Sequence, residues 1–229
     1  GDTQPDASEV LPKIVTFFSY KGGMGRITAL TAVALELLRR KKNVLMLDTD
    51  LEAPGLSTFF FPADDAGYIR KGTVDYLQEK SMNPNTPMNM SDYIIPLTSP
   101  VYMENGMGNL YLVSGGKLND EFLLKLARID SQELVGENLK KNLVQLLKDC
   151  CEALKGSGGI DYILIDSRAG FHDMAGVVTA QIPHGIVLFG KDSFQSWFGI
   201  QQAVRTIATS QADKPFAIMV DSACGVNGI

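Results

Sequence analysis

The chain has 229 residues, of which 45% are apolar and 22 are glycine, and its 21 basic and 26 acidic side chains give a formal charge of −5. That composition fits one folded domain burying roughly 70% of its unfolded surface, and excludes a disordered, collagen-like or disulfide-stapled chain. The acidic balance does not point to nucleic acid as a partner. The cysteines Cys150, Cys151 and Cys224 and the histidines His172 and His184 lack the spacing of a zinc cage or a redox pair.

Residues 1–10 are polar and turn-forming without periodicity, which predicts a disordered lead-in; residues 11–229 read as a single domain. The run 14–18 is β-branched and aromatic, as in a buried strand, and a glycine-rich bend follows it. From 26 to 41, Leu30, Ala34, Leu37 and Leu38 recur at helical spacing, and the basic residues at 39–42 suit a helix C-terminus better than a nucleic-acid patch. A second strand is predicted at 43–47 and a loop at 48–57, where Pro54 and Gly55 break any periodicity.

Residues 81–108 predict an irregular excursion with one short strand at 93–97. Another strand follows at 109–114, then helices at 120–129 and 132–155, stopped by the glycines of 156–159. Strands at 161–165, 185–190 and 216–220, with a helix at 194–208, complete the order. Strands alternating with helices predict an α/β fold: a mostly parallel twisted sheet with helices on both faces. Every apolar run is shorter than the ~20 residues needed to cross a bilayer, so no transmembrane segment is expected and a cytoplasmic protein is predicted.

The bend at 19–28 reads SYKGGMGRIT. Between a buried strand and the first turn of a helix, Gly22, Gly23 and Gly25 let backbone amides converge on an anion that the helix dipole also favours. Lys21 and Arg26 strengthen the point, because cations at a helix N-terminus oppose the macrodipole unless something negative lies between them. Asp48, Asp50 and Asp166 all fall at C-terminal ends of predicted strands, where open α/β sheets place ligands. Three carboxylates gathered there repel one another unless a cation is present.

KGGMGRIT resembles the deviant phosphate loop, K-G-G-x-G-K-[ST]-[ST], of the ParA/MinD-type P-loop ATPases. The likeness continues in chain order: LDTDLEAPGLS resembles the family's Asp-x-Asp switch and DYILIDSRAG its Walker B strand. NLYLVSGG, GIVLFGKDSFQSWFGI and PFAIMVDS resemble the strands around them. The resemblance spans residues 13–222 and implies an ATP site with Mg²⁺, formed by Lys21, Gly22, Gly23, Met24, Gly25, Arg26, Ile27 and Thr28, with Asp221 at the base. It implies that Lys21 reaches a partner's nucleotide across a homodimer and that Asp50 positions the attacking water. Asp166 and Asp48 are the carboxylates it assigns to the metal.

Two positions depart from the family pattern. The usual phosphate-loop lysine is Arg26, and the usual hydroxyl ligand of Mg²⁺ is Ile27, which has no oxygen. Thr28 is no automatic substitute, since one residue along a helix turns a side chain by about 100°. The functional expectation is a nucleotide-binding switch, favouring ATP, with slow Mg²⁺-dependent hydrolysis coupled to dimerisation. The alternative is a non-hydrolysing nucleotide-binding module of a larger protein, meeting an effector or further domains. The likeness leaves the family's last strand and helices unmatched, so truncation at the C-terminus is also expected.

Overall fold

The computed structural model describes residues 12–22, 25–61, 66–99, 104–131, 137–168, 172–191, 194–210 and 215–221. In chain order the elements are β1 (Lys13–Ser19), α1 (Arg26–Arg39), β2 (Val44–Asp48), α2 (Thr73–Met82), β3 (Ile94–Pro96), β4 (Leu110–Val113), α3 (Asp120–Ser131) and α4 (Glu137–Leu154). They continue with β5 (Tyr162–Arg168), α5 (His172–Gly176), β6 (Gly185–Gly190), α6 (Phe194–Ser210) and β7 (Phe216–Asp221). The described strands form one sheet in the order β3-β4-β2-β5-β1-β6-β7. All neighbours are parallel except β3, which runs antiparallel to β4 at the edge.

Alternation along the central strands sends side chains to two cores. Val44 and Met46, Leu112, Leu164 and Phe17 face α1, meeting Leu30, Ala34 and Leu38 from its buried stripe. Leu45 and Leu47, Val113, Ile163 and Ile165 face the other way, onto α2 and α4 through Val74, Leu77, Leu139, Leu143 and Leu146. Each fully buried leucine contributes about 1.5–3 kcal/mol of transfer free energy, so these two stripes fix the helices on opposite faces. A third cluster joins Phe18, Ile186 and Leu188 to Ile200 and Ile207 of α6.

The predicted strands and main helices are present, with one strand longer than predicted and two helices, α2 and α5, that were not predicted. The strand predicted at 161–165 runs on to Arg168, three residues past its predicted end. The helix α2 was not predicted, because its sequence TVDYLQEKSM buries polar residues that apolar periodicity does not register. Lys80, for example, is buried with its ammonium donating to the carbonyls of Thr86 at 2.9 Å and Pro84 at 3.4 Å. The lead-in at 1–10 and the residue Cys224 lie outside the described residues, as does the side chain of His172.

The first bend of the chain is pinned to α6. A Cβ on Gly199 would lie 2.2 Å from Cγ of Tyr20, so the ring of Tyr20 rests directly on the α6 backbone and any side chain at 199 would collide with it.

Candidate functional site

Parallel strands β2, β5 and β1 lie side by side, so their C-terminal ends open on one rim of the sheet. Register places Asp48 opposite Asp166, and Ser19 opposite Arg168. The expected carboxylates and the phosphate-loop bend therefore meet.

At that rim the chain turns from β1 into α1 through Gly25, whose φ of 71° is left-handed and suited to glycine. No side chain caps the start of α1, and its first turn holds no acidic residue. Its N-terminus thus keeps the partial positive charge that most helices offset with a cap. Lys21, Gly22 and Thr28 are exposed along this bend. Gly23 and Met24 lie outside the described residues.

Arg26 does not extend along the bend. Its guanidinium is buried and turned down into the rim, where Nε and Nη2 grip the two oxygens of Asp166, the Nη2 bond at 2.9 Å. Nη2 also donates to Asp50 Oδ2 at 2.9 Å, and Nη1 to Ser19 Oγ at 2.7 Å. The cation that the clustered aspartates require is part of the chain itself. Burial works against the charged guanidinium, but the hydrogen bonds and charges of Asp166 and Asp50 outweigh it and raise its pKa. Burial also pushes the Asp166 carboxyl up, and Arg26 only partly opposes that.

Asp48 has a different task. Its two oxygens accept the amides of Asp50 at 3.0 Å, Leu56 at 3.1 Å and Gly55 at 3.2 Å, so it shapes the loop between β2 and the following short turn. Burial pushes its carboxyl well above the usual range and the charge of Asp166 adds to this, while the amides of Leu56 and Asp50 pull back. Ile27 leans onto the same loop, its Cδ1 3.0 Å from where a Cβ on Gly55 would sit. Apolar packing occupies the position from which the family's hydroxyl would serve a metal.

Arg168 is the residue that sequence reading missed. Its guanidinium forms ion pairs with Asp50 at 3.6 Å and Glu52 at 3.5 Å, and its Nη1 is 3.3 Å from where a Cβ on Gly22 would lie. A second cation therefore overhangs the phosphate-loop bend. The signal was available: Arg168 is two residues beyond Asp166, hence on the same face of β5. Asp221, expected near the base, is the exposed last residue of β7 and pairs with Gly190 in register.

A Mg²⁺ ion, which the resemblance implies, does not fit this donor set. Ile27 supplies no oxygen, Asp166 is held at both oxygens by Arg26, and Asp48 is committed to three amides. Among the described residues, no three His, Cys, Asp or Glu side chains form a group that could hold a metal ion. Among the described residues, Arg26 and Asp166 are tied to each other and to Asp50, and Asp48 is tied to the loop amides.

No family model matches the chain. It is 27% identical over 169 residues to the cytosolic Fe-S cluster assembly factor CFD1 of Candida albicans, an alignment covering 74% of this chain and 50% of that protein. The chain thus spans about half the length of this curated relative. Its structure is similar to that of a plasmid partition protein from Borrelia burgdorferi, with a TM-score of 0.61 and 17% identity over 92% of this chain and 79% of that one. It is also similar to cobyrinic acid a,c-diamide synthase from Mycobacterium smegmatis, solved with bound ADP and magnesium. There the TM-score is 0.60, with 15% identity over 91% of this chain and 72% of that one. Among the described residues, no helix is long and apolar enough to cross a membrane. With its parallel sheet, its glycine bend opening α1 and these structural neighbours, the chain has the fold of the ParA/MinD-type P-loop ATPases.

Proposed function

We propose that the chain is a nucleotide-binding module that takes a nucleoside triphosphate, ATP in preference to GTP, on the bend from β1 to α1. One observation carries this reading: α1 begins at a left-handed glycine with no side-chain cap and no acid in its first turn, at the end of a bend that carries the exposed Lys21 and has the Arg168 guanidinium over Gly22. A helix N-terminus left in that state is matched by a phosphate chain. ATP is favoured because the synthase of the same fold was solved with ADP.

Binding without rapid turnover is the form that the geometry supports best, since Asp50, the residue expected to position water, is already paired with Arg26 and Arg168. A second reading keeps Asp50 as the water-positioning residue of a slowly hydrolysing, dimerising switch in a cytoplasmic protein. Its support is the location of Asp50 just past the end of β2 on the ligand-facing rim. Calorimetric titration of the chain with ATP and GTP tests the main proposal: saturable heat with ATP is the expected result, and no heat with either nucleotide would refute it. Single-turnover phosphate release that vanishes in Asp50→Ala, with ATP-dependent dimerisation on sedimentation, would establish the second reading over the first.

A further inference from the structure

We propose that Arg26 is the resident cation of this site, taking the place of a divalent metal ion, so that the chain binds its nucleotide without Mg²⁺. This rests on the nucleotide-binding reading above and adds the ionic requirement of that site.

The argument begins with what the two departures from the family's loop do together. Arg26 brings a delocalised charge that cannot be lost at any working pH, and its planar fork matches two carboxylates at once. Ile27, beside it, removes the oxygen that would hold a metal and packs on the loop at Gly55 instead. One residue supplies a cation and the next withdraws a ligand. Both changes point the same way.

The bonding supports this. Four hydrogen bonds tie the guanidinium to Asp166, Asp50 and Ser19, and the side chain is only 7% exposed. Mg²⁺ demands near-octahedral oxygens at about 2.0–2.1 Å. To bind Asp166 directly it would have to compete with Arg26 at both carboxylate oxygens, and at Asp50 Oδ2 with Arg26 and Arg168 together. The neighbouring Arg168, bridging Asp50 and Glu52 above Gly22, adds positive charge where a triphosphate would arrive. The two arginines therefore give the rim carboxylates the positive partner that a metal would otherwise supply.

The experiment has a nucleotide-free part and a nucleotide part, both on the full chain. Thermal unfolding is followed with millimolar MgCl₂, with NaCl at matched ionic strength, and with EDTA. The wild type should unfold at the same temperature in all three, whereas Arg26→Ala, which takes from Asp166 its hydrogen-bonded cation and leaves Asp50 with Arg168 alone, should be less stable and regain stability with MgCl₂ but not with NaCl. Should Arg26→Ala fail to fold, Arg26→Lys keeps a charge, loses the fork, and should gain Mg²⁺ stabilisation in the same assay. Stabilisation of the wild type by MgCl₂ alone, or no Mg²⁺ response in the folded variant, would overturn the proposal.

Calorimetry with ATP then compares EDTA with MgCl₂. Dissociation constants within about threefold are expected, and loss of about tenfold or more in EDTA would also overturn it. If ATP binds in neither buffer, the nucleotide-binding reading fails, and the unfolding measurements still decide whether Arg26 excludes the metal.

Discussion

Two helix N-termini in this molecule meet the same electrostatic problem in opposite ways. At α2, Asp75 in the first turn accepts the Gly72 amide at 2.8 Å and holds Lys125 with its other oxygen, also at 2.8 Å. The positive end of the helix is thereby neutralised from within the fold, and the hydrogen bond to Asp75 raises the pKa of Lys125. At α1 there is no cap and no acid, and the first helical residue is a buried arginine. The acids close to α1, Asp50 and Asp166, come from other elements and serve Arg26 instead of the helix amides. A capped end is finished as structure, whereas an open end flanked by cations is stabilised further when an anion binds it.

The strongest way to break this contrast is to remove Arg26. Arg26→Ala takes from Asp166 its hydrogen-bonded cation and leaves Asp50 with Arg168 alone, and breaking a buried pair costs about 3–5 kcal/mol, measurable by denaturant unfolding. A loss well under 1 kcal/mol would mean that the cluster is not held by this residue. The matching change at α2, Asp75→Ala, removes a cap and a lysine partner and should cost about 0.5–2 kcal/mol, with nucleotide affinity unchanged. Converting the open end to a closed one sharpens the comparison further. Thr28→Glu places an acid in the exposed first turn of α1, which should add about 0.3–1 kcal/mol of stability while weakening ATP binding in calorimetry.

The smallest effect belongs to the opposite end of β1, where the Ile14 amide donates to Nδ1 of His184 at 3.0 Å. Desolvation, with the charge of Lys13, holds this imidazole below its ordinary value of 6.5. The unfolded chain therefore binds the proton more readily. Stability from this contact is complete above about pH 6.5 and declines as pH falls toward the folded pKa, then levels off. Thermal unfolding against pH should show that decline in the wild type and lose it in His184→Asn, whose amide oxygen can still accept the Ile14 N–H without titrating.

The architecture was legible because the signals were local. Apolar runs such as 44–47 and 162–165 have no other use than buried parallel strands, and Leu30, Ala34 and Leu38 can share only one helical face. The rim was legible in its parts: the glycine bend, the three aspartates and their need for a cation. What the sequence did not reveal was which cation answers that need. Arg26 is 24 residues from Asp50 and 140 from Asp166, and only strand order brings them together. The helix α2 escaped for a related reason. Asp75 and Lys80 are buried there because the Gly72 amide and Lys125 satisfy the first and the carbonyls of Pro84 and Thr86 the second, and hydrophobic periodicity has no term for a polar side chain with a partner.

The contact between Tyr20 and Gly199 gives the molecule a built-in optical probe. Tyr20 immediately precedes Lys21 on the bend, and its ring lies against the α6 backbone two residues from Trp197, the single tryptophan of the chain. The indole is 45% exposed, so its emission is sensitive to small rearrangements of its surroundings. Any shift of the bend that moves Tyr20 has to be taken up by the first half of α6, and intrinsic fluorescence follows that movement with no label attached.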